Sequence, residues 1–340
     1  MPNPINWRPN LKRLIDGVCI LNLKRLIDGV FILVTVLLIL ISLAGYLGEF
    51  NQYLELTSHF KLQYLIVSFC PFFFFLLRRQ QLGLSLSLFC LLFNLLDVAP
   101  WYLPQSFINS SQIQGQKIRV LQSNINKFNN QYSQLISLVR EESPDIAVFL
   151  EVGIVGSKKF EVLQDILPYS KAGQDRDFRD GTLVYSKLPL ENASVKSLGG
   201  GRVSILADLK IQGQTIPLIT AHPSQALGKK YYEERNRQLE AVADYVEKLK
   251  NPLVVGDFNL TMWSPYYKYF VSKTGLRNAR SGFGILPTWP TFRPLLSIPI
   301  DHCFVGRDIK VLKSRTGRPV GSDHLPLITD LLIPAKNKVK

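Results

Sequence analysis

The sequence predicts an α+β protein in which N-terminal transmembrane helices precede a globular domain. Nearly all of the long apolar runs fall within residues 1–104. Residues 105–340 instead alternate short β-branched runs with amphipathic helical patterns, which is typical of a folded domain of strands and helices. We therefore place the boundary near Pro104, between a membrane region and a globular domain long enough to bury a full core.

The membrane region contains three apolar segments, near residues 27–47, 62–77 and 82–103. The first has no charged residue after Asp28 and has about the 20 residues that a bilayer crossing requires. Core helices of a soluble domain would show a polar face, which these segments lack. The sequence therefore predicts an integral protein of the cell membrane that contacts the lipid bilayer through about three helices.

The charges that flank these segments predict their orientation. A perfect duplication, Asn10–Val18 repeated as Asn22–Val30, doubles the Lys and Arg residues before the first segment, and we assign it no function. Positive residues near membrane spans favour the cytoplasmic side, which also applies to Arg78 and Arg79. We expect a cytoplasmic N-terminus and an extracytoplasmic globular domain.

The net charge of the globular domain limits its partners. The whole chain carries +14, and residues 105–340 hold 32 Lys and Arg against 21 Asp and Glu. Such a surplus favours polyanions, namely nucleic acid, anionic lipid or phosphorylated compounds, although a solvated basic surface would give the same count. The four cysteines suggest no disulfide framework, and we infer no protein partner.

Two predicted strands end on pairs of polar residues. The apolar run 252–256 stops at Asp257 and Asn259, and the run that begins at Ile118 stops at Asn124 and Asn126. Side chains two residues apart in an extended chain share one face. An Asx turn explains such an ending when it is seen alone, so a site is indicated only if the pattern recurs at other strands.

The repetition is present at the other predicted strands. Glu151 closes the buried run 145–150, and His222 closes the run 215–221. Further along, polar residues begin two more strands: Asp301, and the pair Asp323 and His324. Asp301 is a suitable acid to orient the His324 imidazole. The ordered set indicates a single site.

The helix and loop between these strands are predicted to be structural. A long amphipathic helix near 230–250 has Leu239, Val242 and Val246 on its buried stripe, so Arg235 is expected to be solvated. Trp263 and Trp289 lie in the aromatic-rich loop that follows. They could stack on a substrate, but packing over the core is the favoured interpretation.

The motifs together resemble the endonuclease/exonuclease/phosphatase superfamily, which includes DNase I-like nucleases, over about residues 117–333. They are Ser123-Asn124-Ile125-Asn126, Pro144-Asp145 through Glu151, Thr220-Ala221-His222, Gly256-Asp257-Phe258-Asn259, Ile300-Asp301-His302 and Ser322-Asp323-His324. The resemblance implies a two-layer β-sandwich flanked by helices. It also implies a Mg²⁺-dependent phosphoric ester hydrolase, with Mn²⁺ as a possible substitute.

The resemblance also implies a role for each residue. Glu151 would be the main metal ligand, with Asn124 and Asp323 completing the site. Asp257 would activate the attacking water and Asn259 would hold a phosphoryl oxygen. His324, oriented by Asp301, would stabilise the charged transition state, and His222 would support proton transfer or the leaving group. Asn126 and Arg202 are assigned to substrate binding.

The expected function is a membrane-anchored, metal-dependent phosphodiesterase or nuclease that hydrolyses nucleic acid by in-line water attack. The alternatives are a phospholipid or sphingolipid phosphodiesterase and, more remotely, a catalytically inactive binding module. The Trp-Cys-Asp-Arg signature of inositol polyphosphate phosphatases is replaced here by Ile300-Asp301-His302-Cys303, which argues against that branch.

Overall fold

The computed structural model describes residues 8–104, 114–174, 181–200 and 202–335. The chain divides into two compact units. The first consists of Met1–Ala44 and Lys61–Asp97, and the second of Gly45–Phe60 and Val98–Lys340. The second unit therefore includes two segments that the sequence analysis grouped with the membrane region.

The α-helices follow the order expected for apolar segments ahead of a mixed domain. Their bounds are α1 Arg8–Ala44, α2 Gln52–Ser58, α3 Lys61–Arg78, α4 Gln81–Val98, α5 Tyr132–Glu142, α6 Ile154–Phe160, α7 Lys229–Val246 and α8 Pro265–Thr274.

Three helical segments of the N-terminal region are long and apolar enough to cross a membrane. They are Leu21–Leu47, Lys61–Arg78 and Gln81–Trp101, with mean hydropathy of 2.8, 1.4 and 2.0. Charged and polar side chains between the helices are paired: Asp28 with Arg78 at 2.9 Å, Lys61 with Asp97 at 2.9 Å, and Ser42 with Asn94 at 3.0 Å. Such pairing is what an apolar environment requires of polar groups.

Two six-stranded sheets form the second unit. The strands are β1 Gly115–Asn124, β2 Ile146–Leu150, β3 Tyr169–Gln174, β4 Gly181–Ser186, β5 Glu191–Ser197, β6 Val203–Ile211, β7 Gln214–Ala221, β8 Leu253–Asp257, β9 Arg277–Asn278, β10 Asp301–Val305, β11 Lys310–Thr316 and β12 Leu327–Pro334. The strand orders are β11-β12-β1-β2-β4-β3 and β5-β6-β7-β8-β10-β9.

The main core lies between the two sheets. Val120 and Val148 from the first sheet share one buried cluster with Leu218 and Val255 from the second. A second cluster joins the first sheet to the helices that cover it, through side chains such as Phe149, Leu135 and Phe160. Apolar burial on both faces explains why β2 and β8 are continuous apolar runs. The predicted two-layer α+β fold is confirmed.

The parallel strand pairs bring the polar strand endings together. Asn124 is opposite Leu150 where β1 pairs with β2, so Asn124 and Glu151 leave the sheet side by side. In the other sheet Ala221 is opposite Gly256 where β7 pairs with β8, which places His222 beside Asp257.

Arg235 is not solvated as the sequence analysis predicted. Its side chain is fully buried and forms an ion pair with Glu55 in α2. The amphipathic pattern of α7 marked the face that packs on the sheet correctly, with Leu239 and Val242 buried. The pattern does not reveal that α2, which lies far earlier in the chain, covers the face of α7 that carries Arg235.

Candidate active site

A single network of contacts joins all ten residues that the sequence analysis selected. They come from both sheets and from the loops that follow or precede the strands. The structure shows where these side chains lie, and their roles in a reaction stay predictions.

Asn124 links the two sheets through its side-chain amide. Its Nδ2 donates to Glu151 Oε1 at 3.1 Å and to Asp257 Oδ2 at 3.0 Å. Its Oδ1 accepts from the backbone N–H of Asn126 at 3.0 Å, which fixes the orientation of the amide. One side chain at the end of β1 therefore holds a carboxylate from each sheet.

Asp323 is held on the other side of Asn126. The Asn126 Nδ2 donates to Asp323 Oδ1 at 2.8 Å, and the Trp289 indole Nε1 donates to Asp323 Oδ2 at 3.0 Å. Trp289 thus belongs to the network, although the sequence analysis favoured a packing role for it. The local sequence around Trp289 does not indicate this hydrogen bond, because the partner, Asp323, lies 34 residues later in the chain.

The Asp257 carboxylate is completely buried and accepts two hydrogen bonds. Its Oδ2 faces Asn124, and its Oδ1 accepts from the backbone N–H of Asn259 at 2.9 Å. Burial raises the pKa of Asp257 to about 7, and the neighbouring Asp301 carboxylate contributes to the rise. A carboxylate with such a pKa is suited to accept a proton near neutral pH.

Asn259 has left-handed backbone geometry, with φ of 52°. Few non-glycine residues adopt this conformation, and asparagine is among those that tolerate it best. Its side-chain Nδ2 donates to the Pro223 carbonyl at 2.9 Å, next to His222. Asn259 therefore ties the loop after β8 to the loop after β7.

Asp301 and His324 form a buried pair of a carboxylate and an imidazole. His324 Nδ1 donates to Asp301 Oδ2 at 2.9 Å, and Gln122 Nε2 donates to Asp301 Oδ1 at 2.6 Å. The His324 Nε2 lies 3.8 Å from Asp257 Oδ2. Although burial alone would lower it, the nearby carboxylates raise the pKa of His324 to about 9, with Asp301 the strongest of them.

Gln122, which donates to the other Asp301 oxygen, is not among the residues predicted from the sequence. It lies two residues before Asn124 in β1, so the alternation of the strand places it on the same face. This alternation could have indicated that Gln122 belongs to the site. Its partner, Asp301, could be identified only once the two sheets were packed.

His222 and Arg202 complete the site beside Glu151. His222 Nε2 lies 3.6 Å from Glu151 Oε1 and 3.8 Å from Asp257 Oδ2. The Arg202 guanidinium contacts the His222 ring and lies 3.9 Å from Glu151 Oε1. Burial and the adjacent Arg202 charge hold the pKa of His222 well below its usual value, so this imidazole is neutral near pH 7.

The donor atoms fit a hard divalent cation. Glu151, Asn124 and Asp323 offer carboxylate and amide oxygens, which Mg²⁺ and Mn²⁺ prefer. Within the described residues, ligand atoms of Asp257, Asp301 and His324 also lie within 4.8 Å of one another. Both groups have ligand atoms that already form hydrogen bonds: His324 Nδ1 donates to Asp301, Asn124 Oδ1 accepts from the Asn126 N–H, and the Asp323 oxygens accept from Asn126 and Trp289. A cation beside Glu151 would share or replace some of these bonds.

The fold is similar to that of several solved structures. Humanized zebrafish (D. rerio) TDP2 with 14 mutations is 15% identical, with a TM-score of 0.54 over 63% of this chain and 98% of that one. A Bacteroides thetaiotaomicron endonuclease/exonuclease/phosphatase family protein is 18% identical, with a TM-score of 0.54 over 65% and 99%. The human Nocturnin catalytic domain is 18% identical, with a TM-score of 0.53 over 64% and 95%.

At these identities the structural similarity is evidence of a shared fold alone. The comparison with curated proteins gives no match. A family model, however, matches residues 121–324, which is more than half of the chain and includes every residue of the network described above. The chain therefore belongs to the Endonuclease/Exonuclease/phosphatase family.

Proposed function

We propose that the protein is a divalent metal-dependent phosphoesterase that directs a water molecule at phosphorus. Members of this family are hydrolases of phosphoric esters. The observation that supports the proposal most is the position of Asp257, a buried carboxylate fixed by Asn124 and Asn259 and lying 3.8 Å from the His324 imidazole. The Asp257 carboxylate, as a general base, and the His324 imidazole, as a cationic group, therefore lie next to each other.

The chemistry follows from the protonation states of these groups. Asp257, ionised above about pH 7, takes the proton from the attacking water. His324 keeps its proton up to about pH 9, so its imidazolium can stabilise the negative charge that develops on the phosphoryl oxygens. Asp301 fixes the ring by holding Nδ1, which leaves Nε2 as the donor toward the site.

The remaining side chains bind the metal and the ester. Glu151, with Asn124 and Asp323, would hold Mg²⁺ or Mn²⁺, which when bound would polarise a phosphoryl oxygen. Arg202 places a cation beside Glu151, where it can contact the phosphate. Neutral His222 can accept or donate a proton near the leaving group, and the amides of Asn126 and Asn259 hold phosphoryl oxygens.

Nucleic acid is the first candidate substrate. The surplus of positive charge in residues 105–340 favours a polyanion. Lys127 lies in the loop that carries Asn126, and Arg293 lies in the loop that follows Trp289. Endonuclease and exonuclease action both fit these features.

We propose that the three apolar helices span the cell membrane, with the N-terminus cytoplasmic and the enzyme domain outside. A reporter fused to the C-terminus that is active only in the cytoplasm would contradict this topology.

A lipid phosphodiester is the second candidate, because large apolar side chains are exposed next to the site. Phe128 is 84% exposed, and its backbone N–H donates to Asn126 Oδ1 at 3.0 Å. Phe292 and Leu295 are 67% and 89% exposed, in a loop that Thr291 N–H joins to the Asp323 carbonyl at 2.9 Å. Exposed apolar groups around a site are suited to contact with a phospholipid or sphingolipid bilayer.

The two substrates can be separated with the full chain in detergent or nanodiscs. We would measure release of nucleotides from single- and double-stranded DNA and RNA, and of headgroups from lipid vesicles, with Mg²⁺, with Mn²⁺ and with a chelator. We expect metal-dependent hydrolysis that is lost in Glu151→Gln. Headgroup release without nucleotide release would select the lipid, and hydrolysis that a chelator leaves unchanged would contradict the metal dependence.

The activity should depend on pH in a bell-shaped manner. Asp257 must be ionised, so kcat/KM should rise as the pH increases toward about 7, and a bound dication would move this limb lower. His324 must keep its proton, so kcat/KM should fall as the pH increases through about 9. His324→Gln should remove the alkaline limb. An unchanged alkaline limb in that variant would assign the group to another residue.

A further inference from the structure

The loop between the first two candidate spans, Gly45–Phe60, is folded into the same compact unit as the two sheets. We call it the inter-span loop. Two glycines let its start pack directly on α2: a Cβ on Gly45 would lie 2.8 Å from the Ser58 Cα, and one on Gly48 would lie 2.7 Å from the Glu55 Cα. Asn51 caps α2 by accepting from the Tyr53 N–H at 2.8 Å.

The inter-span loop contributes a buried carboxylate to α7. Glu55 is 1% exposed and pairs with Arg235, which is 0% exposed. Ser264 at the start of α8 donates to the second Glu55 oxygen. Two ionised side chains are held in a water-free environment only where each has a partner, because either charge alone would be costly to bury.

Two tyrosines enclose the guanidinium and bind the same loop. The Arg235 guanidinium lies 5.3 Å and 5.5 Å from the ring centroids of Tyr232 and Tyr266. The Tyr232 hydroxyl donates to the Gly48 carbonyl at 2.7 Å, and the Tyr266 hydroxyl donates to the Glu49 carbonyl at 3.2 Å. Arg235 is therefore held directly by Glu55 of the inter-span loop and by Asn236 Oδ1 at 2.8 Å, and indirectly by two tyrosines that bind the loop's backbone.

The same groups reach the candidate active site. Arg235 NH1 donates to the backbone carbonyl of Asn259 at 3.4 Å. His59, at the end of the inter-span loop, contacts Thr261 Oγ1 through Nδ1 at 3.1 Å. These two contacts bracket residues 259–261, which contain the left-handed residue whose N–H binds Asp257. A strained backbone conformation persists only where its surroundings hold it.

From these contacts we infer that Glu55 and Arg235 are positioning residues, through which the inter-span loop completes the active site by holding Asn259. The inference rests on the proposed function only for its effect on catalysis. Breaking the pair would release the Asn259 carbonyl, so that the Asn259 N–H no longer holds Asp257 in place. A chain that began after residue 104 would bury Arg235 without this carboxylate.

The first test is Glu55→Ala in the full chain, purified in detergent. We expect kcat to fall by about 10- to 100-fold with little change in KM, which is the scale of effect when a catalytic group is misplaced. We expect the increase in amide hydrogen exchange to be larger at residues 258–262 than in β12. Glu49→Gln is the matched control, since it replaces a carboxylate of the same loop but keeps the backbone carbonyl that Tyr266 binds, and it should resemble the unaltered chain.

The second test is the double variant Glu55→Met/Arg235→Met. Apolar residues of similar size commonly restore the stability that a buried pair provides, but they cannot bind the Asn259 carbonyl. We expect a folded protein whose kcat stays low and whose exchange at 258–262 stays fast. Recovery of both to the level of the unaltered chain would overturn the proposal, because the pair would then be structural only.

The exchange measurement also keeps the two proposals separate. It needs no substrate, so it is interpretable even if the unaltered chain hydrolyses none of the esters tested, a result that would count against the proposed function alone. Unchanged exchange at 258–262 in Glu55→Ala would overturn the positioning role whatever the activity. Faster exchange in every strand of the Glu55→Ala protein would report the buried, unpaired Arg235 charge, and the double variant then decides. Exchange at 258–262 that returned to the rate of the unaltered chain in the double variant would overturn the positioning role.

Discussion

Asp257→Asn is expected to lower kcat by about 10²- to 10⁴-fold, the usual contribution of a positioned general base. Asparagine has nearly the shape of aspartate but cannot take a proton from water. It can keep only one of the two hydrogen bonds that the carboxylate accepts from Asn124 and Asn259, a loss of about 1 kcal/mol. Removing a buried charge beside Asp301 offsets part of that loss, so the fold should persist.

The measurement is kcat at saturating metal, with the unfolding temperature recorded for the same samples. Asp165→Asn is the matched control, because Asp165 is an exposed carboxylate paired with Arg140 at 2.8 Å on the surface. It should leave kcat unchanged. If Asp257→Asn hydrolysed the ester as fast as the control, Asp257 would not be the base. If every function measured in cells also persisted, the inactive binding module would be the better account.

Gly256→Ala is expected to destabilise the protein by about 3 kcal/mol, the upper range for overpacking of a core. The reason is space: a Cβ at this position would lie 1.7 Å from the carbonyl oxygen of Ala221 on the neighbouring strand. Relieving the overlap requires β7 and β8 to separate. Because His222 directly follows β7 and Asp257 is the last residue of β8, activity should fall together with stability.

Thermal unfolding of the full chain in detergent would measure this effect. Gly153→Ala is the matched control, since Gly153 has φ of −73° and no atom within 4 Å of an added Cβ. It should unfold at nearly the same temperature as the unaltered chain. An equally stable Gly256→Ala protein would show that the two strands are not held as close together as the structure has them.

The predicted site residues lie close together because they stand at strand ends. Asn124, Glu151 and Asp257 each terminate a strongly apolar run, and a period of two determines which side chains share a face. The two-layer fold came from the resemblance that these motifs support, and both sheets and their helical layers are as expected. Local pattern was therefore sufficient wherever a residue's position depends on its own strand.

The sequence did not predict contacts that depend on distant segments. Arg235 lies on a polar face of α7, and nothing in the local pattern shows that Glu55, 180 residues earlier, covers it. The same applies to Gln122 and Trp289, whose partners Asp301 and Asp323 are brought to them by packing. Such pairs can be identified only when the whole fold is known.

The central claim is that water, placed by Asp257, attacks phosphorus directly. The most direct measurement is hydrolysis of a phosphodiester by the full chain in ¹⁸O-labelled water under single-turnover conditions, followed by mass spectrometry of the products. We expect one labelled oxygen in the phosphate-containing product, with metal present, and the same labelled product formed about 10²- to 10⁴-fold more slowly by Asp257→Asn. An unlabelled phosphate product, or a phosphoryl group bound covalently to the protein, would contradict the account.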